Sequence, residues 1–168
     1  MMNEVVILGT RVVFTNDVTD VAVLNLTDTL RVVPQQHRAI LRQIAVVPPA
    51  RFGHGPRYAG GGSGIGYPRL SELSFDRRER PNNFPLNLTL LHEIGHVLED
   101  TFRCMSNLTR EHRAILRSVP IPASAHTHGE EEHYAIAYQQ VMTRGASDAV
   151  RSAVLASRAF NGIDASRI

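Results

Sequence analysis

Apolar positions along this chain change period as it proceeds. Short β-branched runs come first: Val5-Val6-Ile7-Leu8 and Val12-Val13-Phe14, on either side of Gly9. They predict a strand or a hairpin. From Asp20 to Leu30 the pattern fits a helix slightly better than a strand. Pro34 suits the first position of a helix running to about Ile44. Ala45-Val46-Val47 reads as a strand stopped by Pro48-Pro49, and Tyr67 to Phe75 as another, with Leu70, Leu73 and Phe75 partly inward. Beyond residue 85 the apolar spacing lengthens to 3 and 4. Leu90, Leu91, Ile94, Val97 and Leu98 form one face of a helix. It is expected from about Pro85 to Cys104, with Asn83 as its cap. Asn107 caps a further helix to about Ser118, and Val119-Pro120-Ile121-Pro122 breaks it. A helix from Glu130 to Arg144 ends at Gly145. Ser147 caps the last helix, to about Phe160. Strands confined to the part before residue 75, with only helices after residue 85, predict an α+β domain with a small sheet. With no repeat and no composition break, it spans residues 1–168.

The segments between these elements carry fewer signals. Residues 52–66 hold seven of the twelve glycines, including Gly60-Gly61-Gly62. They predict a flexible loop and a candidate cleft lid. No Lys-Ser/Thr follows, so this is not a phosphate loop. Arg77, Arg78 and Arg80 read as a solvated turn, and residues 123–129 as a polar loop.

Composition narrows the function classes. The 168 residues suffice for one domain with a core, and 43% are hydrophobic and 20% charged, as in ordinary globular proteins. A formal net charge of +2 gives no case for nucleic-acid binding. No apolar run reaches the length of a membrane span. The start lacks a basic n-region, so no signal peptide is expected and localisation stays open. Cys104 is the single cysteine, which excludes an internal disulfide.

His92-Glu93-Ile94-Gly95-His96 is the candidate chemistry. Residues i and i+4 share a helix face, so two imidazoles there can bind one metal ion while the intervening Glu holds a water. His92 and His96 flank the apolar face, where a cleft could open. Gly95 costs about 1 kcal/mol against Ala in a helix. A Gly kept there implies close approach by another backbone. A catalytic zinc takes three protein ligands. The Gly and His that would follow in a metzincin are replaced by Glu99 and Phe102, so that class is excluded. The third ligand is then a Glu from a following helix, and Glu130, Glu131 and Glu132 open one. Acidic residues there also simply complement the helix dipole. Periodicity favours Glu131, which shares a face with Ala135, Tyr138 and Met142.

Two segments carry a family resemblance. Thr89 to Asp100, with HExxH and a trailing acidic pair, resembles the active-site helix of the anthrax lethal factor catalytic domain family. Glu132-His133-Tyr134-Ala135-Ile136-Ala137-Tyr138 resembles that family's E-x-x-A-x-A-[FY] segment. The resemblance implies a compact zincin-like metallopeptidase domain of the gluzincin type: a small mixed sheet, an active-site helix and a Glu-bearing helix. It implies Zn²⁺ held by His92, His96 and Glu132, with Glu93 as general base, and it places Glu132 ahead of Glu131. There are two departures. The family carries an acidic residue where this chain has Ile136. Its transition-state Tyr has no counterpart, since no Tyr lies between Tyr67 and Tyr134. His126 or His128 could supply that donor or bind metal, and Tyr134 and Tyr138 are expected to be packed.

The expected function is a zinc endopeptidase acting on a protein or peptide substrate. The strand near Tyr67–Phe75 would bind an extended chain by edge pairing. The family's members include secreted bacterial toxins and effectors, which would imply a cognate immunity or inhibitor protein. All 18 basic residues are Arg. GC-rich coding accounts for that, and a lysine-free chain would also escape ubiquitination in a eukaryotic target cell. A non-catalytic zinc or peptide-binding module, and a hydrolase of a non-peptide amide such as a cell-wall link, are the competing expectations.

Overall fold

Strands β1 (Asn3–Ile7) and β2 (Thr10–Phe14) form a tight hairpin whose turn residues Leu8 and Gly9 take φ of 49° and 80°. Positive φ at both central positions suits a two-residue turn to the strand twist. In the computed structural model, which describes residues 2–64, 66–123 and 129–168, three more strands complete a mixed sheet. They are β3 (Ile44–Val47), β4 (Gly61–Gly64) and β5 (Tyr67–Ser71). The order is β1-β2-β3-β5-β4. The inner pairs β2/β3 and β3/β5 are parallel, and the outer pairs β1/β2 and β4/β5 antiparallel. β1 and β4 are therefore the edges.

One face of the sheet is apolar. Val12, Phe14, Ile44, Val46 and Leu70 are buried, while Arg11, Tyr67 and Arg69 point the other way and are exposed. This is the alternation of a sheet covered on one side. The helices are α1 (Asp20–Val32), α2 (Gln35–Ala39), α3 (Leu88–Phe102), α4 (Arg110–Arg117), α5 (Glu130–Met142) and α6 (Asp148–Leu155). α3 packs against β4 and β5 on one side and against α5 on the other, with α4 and α6 against α5. Leu90, Leu91, Ile94, Val97 and Leu98 of α3 are wholly buried, each worth about 1.5–3 kcal/mol. The molecule is α+β, as expected. Among the described residues no helix is long and apolar enough to cross a membrane.

Several boundaries differ from expectation. The helix after Pro34 stops at Ala39, because Ile44 to Val46 pair with Val12 to Phe14. The glycine-rich segment is not wholly loop: Gly61 to Gly64 pair with Leu70 to Tyr67 as strand β4. β5 ends at Ser71, whose hydroxyl caps a 3-10 turn over Glu72–Phe75. Thr109, not Asn107, caps α4. Ser147 caps α6 as expected, but that helix ends at Leu155.

α3 starts at Leu88 with Asn87 as cap, its side chain accepting from Leu90 N–H at 2.9 Å. Asn83 instead donates to the Ser74 carbonyl and the Thr89 hydroxyl, both at 3.1 Å. The cap is set by α1. Asn25 donates to the Asn83 and Pro85 carbonyls, each at 2.7 Å, and accepts from the Asn87 amide at 3.0 Å. Thr29 Oγ1 accepts the Asn87 N–H at 2.7 Å. This buried polar network pins the entry of the HExxH helix.

Candidate metal centre

α3 and α5 cross at Gly95. A Cβ there would stand 2.6 Å from Ala135 Cα, so only glycine permits the approach. That crossing brings the first turn of α5 beside the middle of α3. His92 and His96 stand one turn apart on α3, ring centroids 4.7 Å apart and planes at 84°. Their Nε2 atoms are 3.1 Å apart. Glu132 places one carboxylate oxygen 3.2 Å from His92 Nε2 and the other 3.1 Å from His96 Nε2. Ligands arranged tetrahedrally at zinc bond lengths of about 2.0–2.1 Å would stand about 3.3 Å apart. These three side chains therefore have the donor types and the mutual spacing of a metal site.

The electrostatics agree with a cation site. Burial pushes the Glu132 carboxyl up, but hydrogen bonds and charge from His92 and His96 hold it well below the usual carboxylate range. Burial acts downward on His96, yet Glu132, Glu93 and Asp100 leave it raised. Glu93, only 4% exposed, lies beside the cluster. Burial raises its carboxyl pKa. His92, His96 and a hydrogen bond from Ser63 oppose that rise, and Glu132 adds to it. His92, Glu93 and Glu132 line one cleft of about 550 Å³, together with Gly61, Ile136 and Gln139.

The other acidic candidates are engaged elsewhere. Glu130 pairs with Arg117, and the Glu131 side chain folds back beside Gly129. Periodicity pointed to Glu131 because α5 is buried on most sides; Ala135, which meets Gly95 of α3, lies one turn beyond both Glu131 and Glu132, so apolar spacing does not separate them. Tyr138, counted on the same face as Glu131, turns to His37, with its hydroxyl 3.1 Å from His37 Nδ1. Tyr134 bonds Ser157 at 2.9 Å. Both tyrosines are packed, as expected. Glu99 of the trailing acidic pair accepts the Met105 N–H at 2.9 Å and serves the helix end. His126 and His128 lie outside the described residues.

No protein-family model, curated protein or solved structure matches this chain. The site rests on its own geometry and chemistry.

Two groups near the cluster were not singled out from sequence. Gly61 packs on Glu93, and the Ser63 hydroxyl bonds its carboxylate. Tyr58 donates its hydroxyl to the Gly61 carbonyl at 2.9 Å. Burial and then the charge of Glu93 raise the Tyr58 phenol above its ordinary value. The only sequence signal for Ser63 and Tyr58 was the glycine run they adjoin.

Proposed function

We propose that the chain is a zinc-dependent endopeptidase of the gluzincin type with a zincin-like fold. One observation carries this: His92, His96 and Glu132 converge at ligand spacing, with Glu93 buried beside them in a cleft. The resemblance of the α3 and α5 segments to the lethal factor catalytic family supports it, and Glu132 occupies that family's ligand position. A zinc ion held by the three side chains would supply Lewis acidity and lower the pKa of a water toward ~7. Glu93 would act as general base, taking a water's proton during attack on the scissile carbonyl and returning it to the leaving amine. Its raised pKa suits both transfers. The strand for an extended substrate is the edge β4, not β5, which lies inside the sheet. A chain added to β4 runs past Glu93.

The test is metal content of wild type and His92→Ala by mass spectrometry, beside cleavage of a random peptide pool with and without chelator. The expected result is one zinc per chain, lost in the variant and required for cleavage. Zinc without cleavage would reduce the centre to a binding module, and no zinc would overturn the reading. Glu93→Gln is expected to keep the metal and lose about 10²–10⁴-fold in turnover.

A further inference from the structure

Two adjacent glycines form the wall of the cleft at β4, each for a different reason. At Gly60 a Cβ would stand 2.5 Å from the Tyr58 Cζ and hydroxyl. At Gly61 it would stand 2.9 Å from Glu93 Cγ and 2.8 Å from the Arg69 carbonyl oxygen. β4 is thus a thin partition between the Tyr58 phenol and the Glu93 carboxylate.

The strand ladder decides which backbone groups face outward. Ser71 N–H donates to the Gly60 carbonyl at 2.9 Å, so those two residues form a hydrogen-bonded pair. Bonded and non-bonded pairs alternate in an antiparallel ladder. Gly61 opposite Leu70, and Ser63 opposite Pro68, are therefore non-bonded pairs. Proline, without an N–H, fits that position. Gly61 and Ser63 present their N–H and C=O groups to the open edge, where an extended chain would pair. One of those groups is already taken, because Tyr58 donates to the Gly61 carbonyl at 2.9 Å. The rings of Phe52 and His54, with centroids 5.0 and 4.7 Å from that of Tyr58, hold the phenol in place.

We propose that Tyr58 is a specificity-determining residue that limits how much substrate backbone β4 can hold. The proposal rests on the peptidase reading of the site. A bound chain pairs through both groups of Ser63 and through the Gly61 N–H, and gains no bond at the Gly61 carbonyl. Pairing stops beside Glu93, and the next substrate residue turns into the cleft toward His92 and Glu132 instead of continuing along the sheet.

The experiment is a backbone N-methyl scan. The best-cleaved member of a random decapeptide pool is resynthesised with each backbone nitrogen methylated in turn. KM and kcat are then measured for wild type and Tyr58→Phe. In wild type, methylation at the nitrogen opposite the Gly61 carbonyl is expected to leave KM unchanged. In Tyr58→Phe the same methyl group is expected to raise KM about fivefold, the worth of one hydrogen bond. The unmethylated peptide should show a KM about fivefold lower in Tyr58→Phe than in wild type, with similar kcat. Gly60→Ala, which displaces the phenol sterically, is expected to reproduce that pattern. Identical scans in wild type and Tyr58→Phe would overturn the proposal. So would a loss confined to kcat, which would make the phenol a catalytic donor. Cleavage with an unaltered scan removes the stop alone. No cleavage by any of the proteins removes the peptidase reading and the stop with it.

Discussion

In the proposed mechanism Glu93 works only as an anion, and its surroundings set the pH at which it becomes one. Burial raises its pKa, and the Ser63 hydroxyl bond is among the groups that pull it back. A protonated Glu93 cannot take a proton from water, so activity is lost as pH falls through the raised value. Burial thus moves the acid limb of kcat/KM against pH upward, and the charge of a bound zinc ion would move it back down. Ser63→Ala removes a bond to the charged form and should move that limb higher. A limb that stays put or moves lower would refute the role given to Ser63. Gly95 tests packing at the same helix. Alanine favours a helix by about 1 kcal/mol over glycine. Its Cβ would meet Ala135 Cα at 2.6 Å, and backbone cannot yield as a side-chain tip does. Gly95→Ala is expected to lose about 1–3 kcal/mol in urea unfolding and to weaken zinc binding. A stability equal to wild type would mean that the helices cross less tightly than the structure shows. The HExxH residues were legible in sequence because their chemistry depends on local spacing. Ser63 and Tyr58 were not, since β4 pairing with β5 brings Ser63 to Glu93, Tyr58 joins only through its bond to the Gly61 carbonyl, and a glycine run carries no period.

The entry of α3 depends on residues of another element. Asn25 and Thr29 on α1 bond the Asn83 and Pro85 carbonyls and the Asn87 side chain and N–H, up to 62 residues away. Asn25→Ala leaves those buried groups without partners. The expected cost is about 1–3 kcal/mol, measured by thermal or urea unfolding. The first turn of α3 should also exchange its amides faster, and a loss spread evenly over the chain would argue against a local anchor. The apolar period located the body of α3 from sequence but misplaced its start and its cap. Asn83 and Asn87 are both good caps by type, and only the distant Asn25 decides between them. The helix after Pro34 was overextended for a similar reason, since residues 44–46 are claimed by β2. Local propensity is overridden wherever a partner strand arrives from elsewhere.

At the scale of the whole molecule, strands confined to the part before residue 75 and helices alone after residue 85 made the α+β class legible. The strand order was not, because nothing in β4 except glycine marks it as an edge. Long-range packing also sets the response to acid. His37 of α2 is buried, with Nδ1 3.1 Å from the Tyr138 hydroxyl and Nε2 2.8 Å from the Ala159 carbonyl. Burial lowers its pKa from 6.5 to about 4, despite the bond to Ala159. Between those values the unfolded chain binds a proton that the folded one refuses. The contribution is complete above pH 6.5 and lost as pH falls toward 4, up to roughly 3 kcal/mol. Urea midpoints at pH 7 and near pH 4.5 should therefore fall more for wild type than for His37→Gln. Equal falls would place the acid sensitivity elsewhere. The candidate metal centre also joins distant parts, since two of its ligands come from α3 and one from α5, helices packed closely about the Gly95–Ala135 contact. Cobalt substituted for zinc would therefore be a colour gauge of that one seam. Its absorption should fade when α5 first lifts from α3, ahead of the far-ultraviolet signal that reports the helices themselves.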